Sequence, residues 1–172
     1  CSSDLEDTGL SSYLENSRFS LISRSVNNSE DSSPVESSIL EMHKSLARGQ
    51  VGKEIHIVLL QPTSPLRKSF HIDNAIKKCI TSGCQKLASF TQLNDCHPAR
   101  MYRIESGSAQ SYLKNDVNVS SHRQKLEKLY IRNGAMYICS LRALISGESF
   151  TDSCLNSYIM GEAESINIDS EV

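Results

Sequence analysis

The first clear hydrophobic pattern along the chain has the spacing of a helix. Apolar residues recur every three or four positions after Ser33, and this periodicity predicts an amphipathic helix that ends at Gly49. Ser33 is placed to cap this helix, and Glu36 to complete a capping box with it. The apolar face consists of Val35, Ile39, Met42 and Leu46.

A continuous apolar run follows and ends in a rigid polar corner. The run Ile57–Leu60 is apolar on both faces, which is typical of a strand in a parallel sheet with helices on both sides. The corner Gln61–Arg67 reads "QPTSPLR", and its prolines fix two φ angles, so that ordering the loop costs little entropy. Ligands of open α/β sheets bind beyond the carboxyl ends of the strands, which makes the Gln61 amide a candidate ligand contact. A proline-rich turn that merely ends a strand explains the same residues.

The remaining pattern predicts an α/β protein with crossover connections. A second helix with an apolar face of Ile72, Ile76, Cys79 and Ile80 ends at Gly83. The order helix, strand, helix, strand favours a mostly parallel sheet in a single domain, residues 1–172. The later predicted elements are a strand in "KLASFTQL", two strands around Ser106-Gly107-Ser108, a strand in "YIRNGAMYI", a helix over Leu141–Ser146 and a last strand-like piece near Gly161.

Composition excludes several classes of protein. The chain has 172 residues, a formal net charge of −2, 38% hydrophobic and 22% charged residues, which indicates a globular protein with no nucleic-acid or membrane partner. Its six cysteines have no zinc spacing, and we expect free thiols in a reducing cytoplasm. The first residue is Cys1, which indicates a processed chain or a fragment.

Three blocks of sequence resemble one family of enzymes. In order along the chain they are "VLLQPTSPLR", "YIRNGAMYI" and "YIMGEAESINID", and they resemble the acylneuraminate cytidylyltransferases, also called CMP-sialic acid synthetases. The CMP-Kdo synthetases are related to this family. The opening "CSSDLED" is similar to a Ser-Thr-Asp segment of the family, and "RFSLISRS" to a segment that ends in Arg-Pro.

The resemblance implies a fold and a reaction. The fold is a three-layer Rossmann-like nucleotide-diphospho-sugar transferase fold with a mostly parallel sheet, here truncated at its N-terminus, and members are usually homodimers. The anomeric hydroxyl of a nine-carbon, sialic-type (nonulosonic) acid attacks the α-phosphorus of CTP and pyrophosphate leaves, with Mg²⁺ as cofactor. Residues 100–128 correspond to an arm used for dimerisation or sugar binding.

The resemblance also implies roles for single residues, each of which has a plainer alternative. Gln61 and Asp169 are the candidate catalytic residues. Tyr137 can simply pack in the core, Arg123 can lie on a solvated surface, and Asn133-Gly134 alone reads as a turn or a bulge. The implied sugar and nucleotide contacts are Gln61, Arg123 near the sugar carboxylate, Asn133, Tyr137 and Arg24, and the implied metal site is Asp169 with Asn167.

Two departures from the family leave other functions open. The family has Asp-x-Asp at the metal site, whereas this chain has Asn167-Ile168-Asp169, and Asn offers an oxygen without charge. Binding through water, or compensation by another acid such as Asp4, are both consistent with the sequence. No Gly-, Ser- and Lys-bearing phosphate loop is found among the scattered glycines. The alternatives are therefore a non-catalytic, sugar-acid-binding or dimer-partner remnant, or a CMP-Kdo synthetase-like enzyme.

Overall fold

The computed structural model describes residues 33–46, 54–94, 96–113, 126–152 and 155–168. Arg24, Arg123 and Asp169 lie outside these residues, as does Asp4. The chain divides into two compact units, one of residues 1–56 and 140–150, the other of residues 57–139 and 151–172. We refer to them as the small unit and the large unit.

The first four described elements alternate between helix and strand, as the hydrophobic pattern predicts. Within the described residues, no helix is both long enough and apolar enough to cross a membrane. The helices are α1 (Val35–Leu46), α2 (Ser69–Ser82) and α3 (Leu141–Ile145). The strands are β1 (His56–Leu59), β2 (Lys86–Gln92), β3 (Tyr102–Glu105), β4 (Ser108–Ser111), β5 (Tyr130–Ser140) and β6 (Asn156–Ile159), and 3₁₀ turns lie at Pro98–Arg100 and Glu162–Glu164.

The small unit packs α1 near α3. Helix α1 begins at Val35, directly after Pro34, and the carboxylate of Glu36 accepts a hydrogen bond from the Phe150 backbone N–H at 3.2 Å. The Ser140 hydroxyl caps α3 by accepting from the Ala143 N–H at 3.2 Å. A capping serine satisfies one of the N–H groups that the first turn of a helix leaves unpaired, which explains why α3 begins there.

The four-stranded sheet of the described residues is mixed. Its strand order is β1-β5-β2-β6; β6 runs parallel to β2, whereas β5 runs antiparallel to it. The sequence-based prediction of a mostly parallel sheet is therefore not confirmed. The α/β class is confirmed. A buried central strand is apolar on both faces in either orientation, so the pattern of β5 does not reveal its direction.

Helix α2 covers one face of the sheet in the large unit. Its buried side chains are His71, Ala75 and Cys79, and Ile72 and Ile76 flank them. Ile80 was predicted on this face but is 65% exposed, because the i, i+4 row of buried residues leaves it on the solvent side. The core cluster below α2 consists of Ala75, Cys79, Cys84, Leu87, Met136 and Ile138, with Val58, Ile72, Ile76 and Tyr158 packed against it.

Strands β3 and β4 form a separate two-stranded hairpin, as predicted. The loop is Ser106-Gly107, and both residues have positive φ, 50° and 80°. Positive φ at both positions is the conformation of a type I′ turn, whose twist matches that of the flanking strands. The sequence signal at Ser106-Gly107-Ser108 therefore predicts the position of the turn that joins β3 and β4.

Candidate functional site

A break in the register of the central strands creates the candidate site. Ala88 pairs with Tyr137 and Phe90 pairs with Arg132, so a single residue of β2, Ser89, lies opposite residues 133–136 of β5. The extra residues make β5 bulge away from β2 at "NGAM". A bulge was one of the plainer readings of Asn133-Gly134.

A buried polar network holds the bulge in place. The Ser89 hydroxyl is 2.6 Å from Asn133 Oδ1, to which it donates, and it accepts from the Met136 N–H at 2.9 Å. Asn133 Oδ1 also accepts from the Ala135 N–H, and its Nδ2 donates to Ser165 Oγ at 2.9 Å. Ser89 and Asn133 are 1% and 6% exposed, so these hydrogen bonds replace the ladder bonds that the bulge breaks.

Gly134 lies at the tip of the bulge and brings two predicted site residues together. Its φ is +74°, a left-handed conformation that glycine adopts without strain. A Cβ atom at this position would lie 2.8 Å from Gln61 Oε1 and 3.3 Å from Asn167 Nδ2. The close approach of both amides thus depends on the missing side chain. Gln61 follows β1, Gly134 lies in β5 and Asn167 follows β6, so the site joins the three resembling blocks.

Arg67 fastens the proline-rich corner to the bulge. Its Nη1 donates to the backbone oxygen of Gln61 at 3.0 Å and to that of Ala135 at 2.6 Å. Partial burial lowers the pKa of the Arg67 guanidinium from its ordinary value, but such a high starting value keeps it protonated at neutral pH. Hydrogen bonds from a charged donor are the stronger ones, so Arg67 fixes the backbone that carries Gln61.

The segment 160–168 crosses the same region and is bound at several points. The Met160 N–H donates to the Phe90 oxygen, and the Ile168 N–H donates to the Thr63 oxygen, each at 2.8 Å. Thr63 belongs to the corner "QPTSPLR", so the segment and the corner are bonded to each other directly beside Asn167. These contacts place Asn167 next to the loop of Gln61.

A charged cluster anchors this segment to α2. Glu164 accepts from Lys68 Nζ at 2.9 Å, and its other oxygen is 3.0 Å from His71 Nε2. His71 is 4% exposed, and its Nδ1 lies 3.1 Å from the Tyr158 hydroxyl. The hydrogen bond from Lys68, together with the charges of Lys68 and His71, lowers the pKa of the Glu164 carboxyl even though desolvation opposes the shift. Glu164 is therefore ionised at neutral pH and can hold both partners.

A cavity of about 240 Å³ lies beyond the end of β2 and contains two basic side chains, Arg100 and Lys128. The Nδ1 atom of His97 accepts a hydrogen bond from the Ala99 N–H, so the ring proton lies on Nε2. Nε2 donates to the backbone carbonyl oxygen of Glu127 at 3.2 Å. His97 thus shapes the cavity wall. The lining residues are Gln92, Leu93, Asn94, His97, Arg100, Leu126, Glu127 and Lys128.

The structure brings two of the predicted site residues together and gives the other described ones different surroundings. Gln61 and Asn167 meet at Gly134, whereas both polar groups of Asn133 are engaged by protein atoms. Tyr137 is 9% exposed, and alternation along β5 puts it on the face opposite Met136. Arg24, Arg123 and Asp169 lie outside the described residues, and their roles stay predictions.

Sequence reasoning missed three residues of this site. Arg67 was part of the corner motif, but nothing in a single sequence shows that its guanidinium reaches two carbonyl oxygens. Ser89 reads as an ordinary residue of an alternating strand. Gly134 offered the one usable signal, because a glycine inside a strand pattern often marks a bulge or a close approach of another group.

The described residues alone do not form a magnesium site. No group of three or more His, Cys, Asp or Glu side chains lies close enough to hold a metal anywhere in the described ranges. At the site itself they offer the neutral amides of Gln61 and Asn167. Mg²⁺ prefers at least one carboxylate. In the segment Asn167-Ile168-Asp169 the acidic residue is Asp169, so whether a metal fits depends on a residue outside the described part.

Comparison with known proteins gives a consistent set of relatives. The chain is 32% identical over 115 residues to an N-acylneuraminate cytidylyltransferase of Streptococcus agalactiae serotype V, and 32% identical over 114 residues to that of serotype III. It is 31% identical over 116 residues to the N-acylneuraminate cytidylyltransferase of Escherichia coli O18:K1:H7. Each match covers 66% of this chain but 27% of the relative, so the chain matches little more than a quarter of these proteins' length. No protein-family model matches the chain.

Proposed function

Because the chain belongs to the acylneuraminate cytidylyltransferase family, we propose that it acts in the synthesis of a CMP-sugar from CTP and a sialic-type nine-carbon sugar acid. The observation that carries this proposal is the convergence of Gln61 and Asn167 at Gly134. Each of the three comes from a different block that resembles the family. The proposal includes the family's three-layer Rossmann-like fold and a cytoplasmic setting.

The proposed role of Gln61 is to contact the hydroxyl groups of the sugar acid. An amide is both donor and acceptor, and Arg67 fixes the backbone from which this one projects. Asn133 supports the site from behind, since its own polar atoms hold Ser89 and Ser165. Tyr137 lies four residues beyond Asn133 in the same strand, β5. Rigid placement of this kind favours group transfer by positioning.

The sugar carboxylate requires a cation, and the cavity beyond β2 supplies candidates. Arg100 and Lys128 line it, and Arg123 belongs to the chain segment that leads to Leu126. A guanidinium can form two parallel hydrogen bonds to a carboxylate. We therefore place the carboxylate end of the sugar acid in this cavity, with Arg24 assigned to the nucleotide as the resemblance implies.

The proposed metal site is Asp169 with Asn167. A bound Mg²⁺ would neutralise charge on the CTP phosphates. Asn167 contributes an amide oxygen and Asp169 the carboxylate, and Mg²⁺ commonly completes its shell with waters and substrate phosphates. Since Asn167 lacks a charge, we expect weaker metal binding than an Asp at this position would give.

A second candidate function is sugar-acid binding without catalysis. It is favoured by Asn167 in place of an acidic residue. A remnant of this kind would keep the contacts of Gln61 but would transfer no nucleotide. A CMP-Kdo synthetase-like enzyme remains the third possibility, which differs only in the sugar acid.

Incubation of the chain with CTP, Mg²⁺ and a panel of nonulosonic acids plus Kdo separates these functions. We expect a CMP-sugar of nonulosonic type to be detected by mass spectrometry. A folded chain that forms no product, but binds a nonulosonic acid saturably, supports the second candidate. A folded chain that neither reacts with any acid nor binds one contradicts both.

Replacing Asn167 with aspartate is expected to tighten the response to Mg²⁺. The added carboxylate gives the metal a second anionic ligand beside Asp169. The measurement is the Mg²⁺ concentration that gives half-maximal product formation, or half-maximal binding of CTP if no product forms, and we expect it to fall about tenfold, equivalent to about 1.4 kcal/mol. Asn74→Asp adds the same charge at an exposed position of α2 and serves as the control. An unchanged or higher Mg²⁺ requirement in Asn167→Asp contradicts the assigned metal site.

We also propose that the β3–β4 hairpin mediates homodimer formation. Tyr102 and Ile104 lie on one face of the hairpin and are 62% and 67% exposed, while Arg103 and Gln110 lie on the other. An isolated two-stranded hairpin is only marginally stable in water, and an apolar face of this kind favours a partner. The occupant we propose is the same face of a second copy, because the family forms homodimers.

Replacing Ile104 with arginine is expected to shift the chain from dimer to monomer. A charge in the centre of an apolar contact must be desolvated without a partner. Sedimentation velocity over a range of protein concentrations measures the change, and we expect the dissociation constant to rise at least tenfold. Gln110→Arg adds the same side chain to the opposite face and should leave association unchanged. Equal effects of the two variants, or a wild-type chain that stays monomeric, contradict the proposal.

A further inference from the structure

Two cysteines meet at the carboxyl end of α2. The Sγ atoms of Cys79 and Cys84 are 2.8 Å apart, and the Cys79 Sγ is 3.1 Å from the Cys84 carbonyl oxygen. Both side chains are buried, 1% and 8% exposed, and the structure holds both in the reduced state, without a disulfide. Neither residue belongs to the candidate site, and the proposed function makes no use of them.

The backbone fixes this approach. The Cys84 N–H donates to the Cys79 oxygen at 3.1 Å, and the Gly83 N–H donates to the Ile80 oxygen at 3.2 Å. These two bonds, with Gly83 at φ 62°, form a Schellman motif, in which the first residue after the glycine contacts the residue five positions earlier. In this chain the side chains of Cys79 and Cys84 make that contact. The backbone conformation at the end of α2 therefore keeps their two sulfur atoms close together.

We propose that Cys79 and Cys84 form a reversible internal disulfide when the chain meets a small disulfide oxidant such as oxidised glutathione. The thiolate of one cysteine attacks the oxidant and displaces one glutathione thiolate, which takes up a proton. The thiolate of the other cysteine then attacks the mixed disulfide and displaces the second glutathione. Two thiols lose two protons and two electrons, and the oxidant is reduced to two glutathione thiols.

The position of Cys84 favours it as the first residue to react. It is the more exposed of the two, and it follows Gly83 at the surface end of the helix. The second step is then intramolecular and benefits from a high effective concentration. The other described cysteines differ: Cys139 is fully buried, and Cys96 is exposed.

Oxidation would act on the core of the large unit. Cys79 and Cys84 belong to the cluster that contains Met136 and Ile138 of β5, which directly follow the bulge at Gly134. A disulfide would therefore lock the end of α2 to the start of β2 within this cluster. The inference is independent of the proposed function, since neither step uses a residue of the candidate site.

Trypsin provides a direct test, because cleavage after Lys78 and Lys86 releases both cysteines in one peptide, "CITSGCQK". The reduced chain is equilibrated in glutathione buffers of increasing oxidised fraction, blocked with N-ethylmaleimide, unfolded and digested. We expect this peptide to lose two hydrogens and to carry no maleimide, while the exposed Cys96 carries glutathione or maleimide. Dithiothreitol should restore two maleimide groups per peptide.

The single substitutions distinguish the order of the two steps. Cys79→Ser should accumulate the mixed disulfide at Cys84, whereas Cys84→Ser should leave Cys79 largely reduced while the chain is folded, as followed by circular dichroism. If a substitution prevents folding, the wild-type peptide alone decides. A peptide with two maleimide groups, or with two glutathiones, in a buffer that has fully modified Cys96 overturns the proposal.

Discussion

Replacing Gly134 with alanine is expected to destabilise the large unit by about 1–2 kcal/mol, the cost of a non-glycine residue in the left-handed region, and to displace the Gln61 side chain. The new Cβ would lie 2.8 Å from Gln61 Oε1, closer than real Cβ atoms come. Because this oxygen is the far end of a flexible side chain, the amide can turn aside at little cost in stability. Chemical denaturation at equilibrium measures the loss in free energy of unfolding.

The same substitution should also remove ligand binding, since Gln61 has to move away from Gly134. Gly107→Ala is a close control: Gly107 has φ +80°, but a Cβ there meets no atom within 4 Å. It should therefore show the backbone cost alone and keep full binding. Unchanged binding in Gly134→Ala would show that the approach of Gln61 to Gly134 is not what this glycine is needed for.

Replacing Ser89 with alanine is expected to cost about 1–3 kcal/mol, because its hydroxyl is the acceptor for a buried backbone N–H group. Its loss leaves the Met136 N–H without the acceptor at 2.9 Å, while Asn133 Oδ1 loses one donor and keeps the hydrogen bond from the Ala135 N–H. Ser108→Ala, on the exposed hairpin, removes the same hydroxyl from a solvated position and should be nearly neutral.

The coupling between Ser89 and Asn133 gives a sharper measurement. The double variant Ser89→Ala/Asn133→Ala should cost less than the sum of the single variants, by roughly 0.5–3 kcal/mol, as expected for residues in one hydrogen-bond network. Additive losses in the cycle would mean that the two side chains stabilise the bulge independently.

Local chemistry made much of the fold predictable. The hairpin turn follows from Gly107, because glycine adopts a positive φ without strain. The end of α2 follows from Gly83 in the same way. In both places a few consecutive residues determine the conformation, so a single sequence is sufficient to read it.

The direction of β5 was not predictable in this way. Its buried half, from Asn133 onward, is covered on both faces, and such a run looks the same in a parallel and an antiparallel pairing. The position of Ile80 failed for a related reason. Helical spacing alone allowed it on the buried face, and the actual packing against β2 and β5 selected the row of His71, Ala75 and Cys79 instead.

The candidate site was predictable only where a residue type carried its own signal. Gln61 stood out because two prolines hold it at the end of a strand, and Asn167 because it replaces a family aspartate. Ser89 and Arg67 had no such signal, since their partners come from distant parts of the chain, 44 to 68 residues away. Long-range hydrogen bonds of this kind are a property of the folded topology.

The most direct test is a nuclear magnetic resonance titration of the isotopically labelled chain with N-acetylneuraminic acid, followed by CTP and Mg²⁺. Signals of the Gln61 and Asn167 side-chain amides and of the Gly134 backbone amide should shift together and saturate, while those of the hairpin residues 102–111 should not follow the ligand. A folded chain whose three site signals stay unchanged through both additions would contradict the assignment of this site to a sialic-acid cytidylyltransferase.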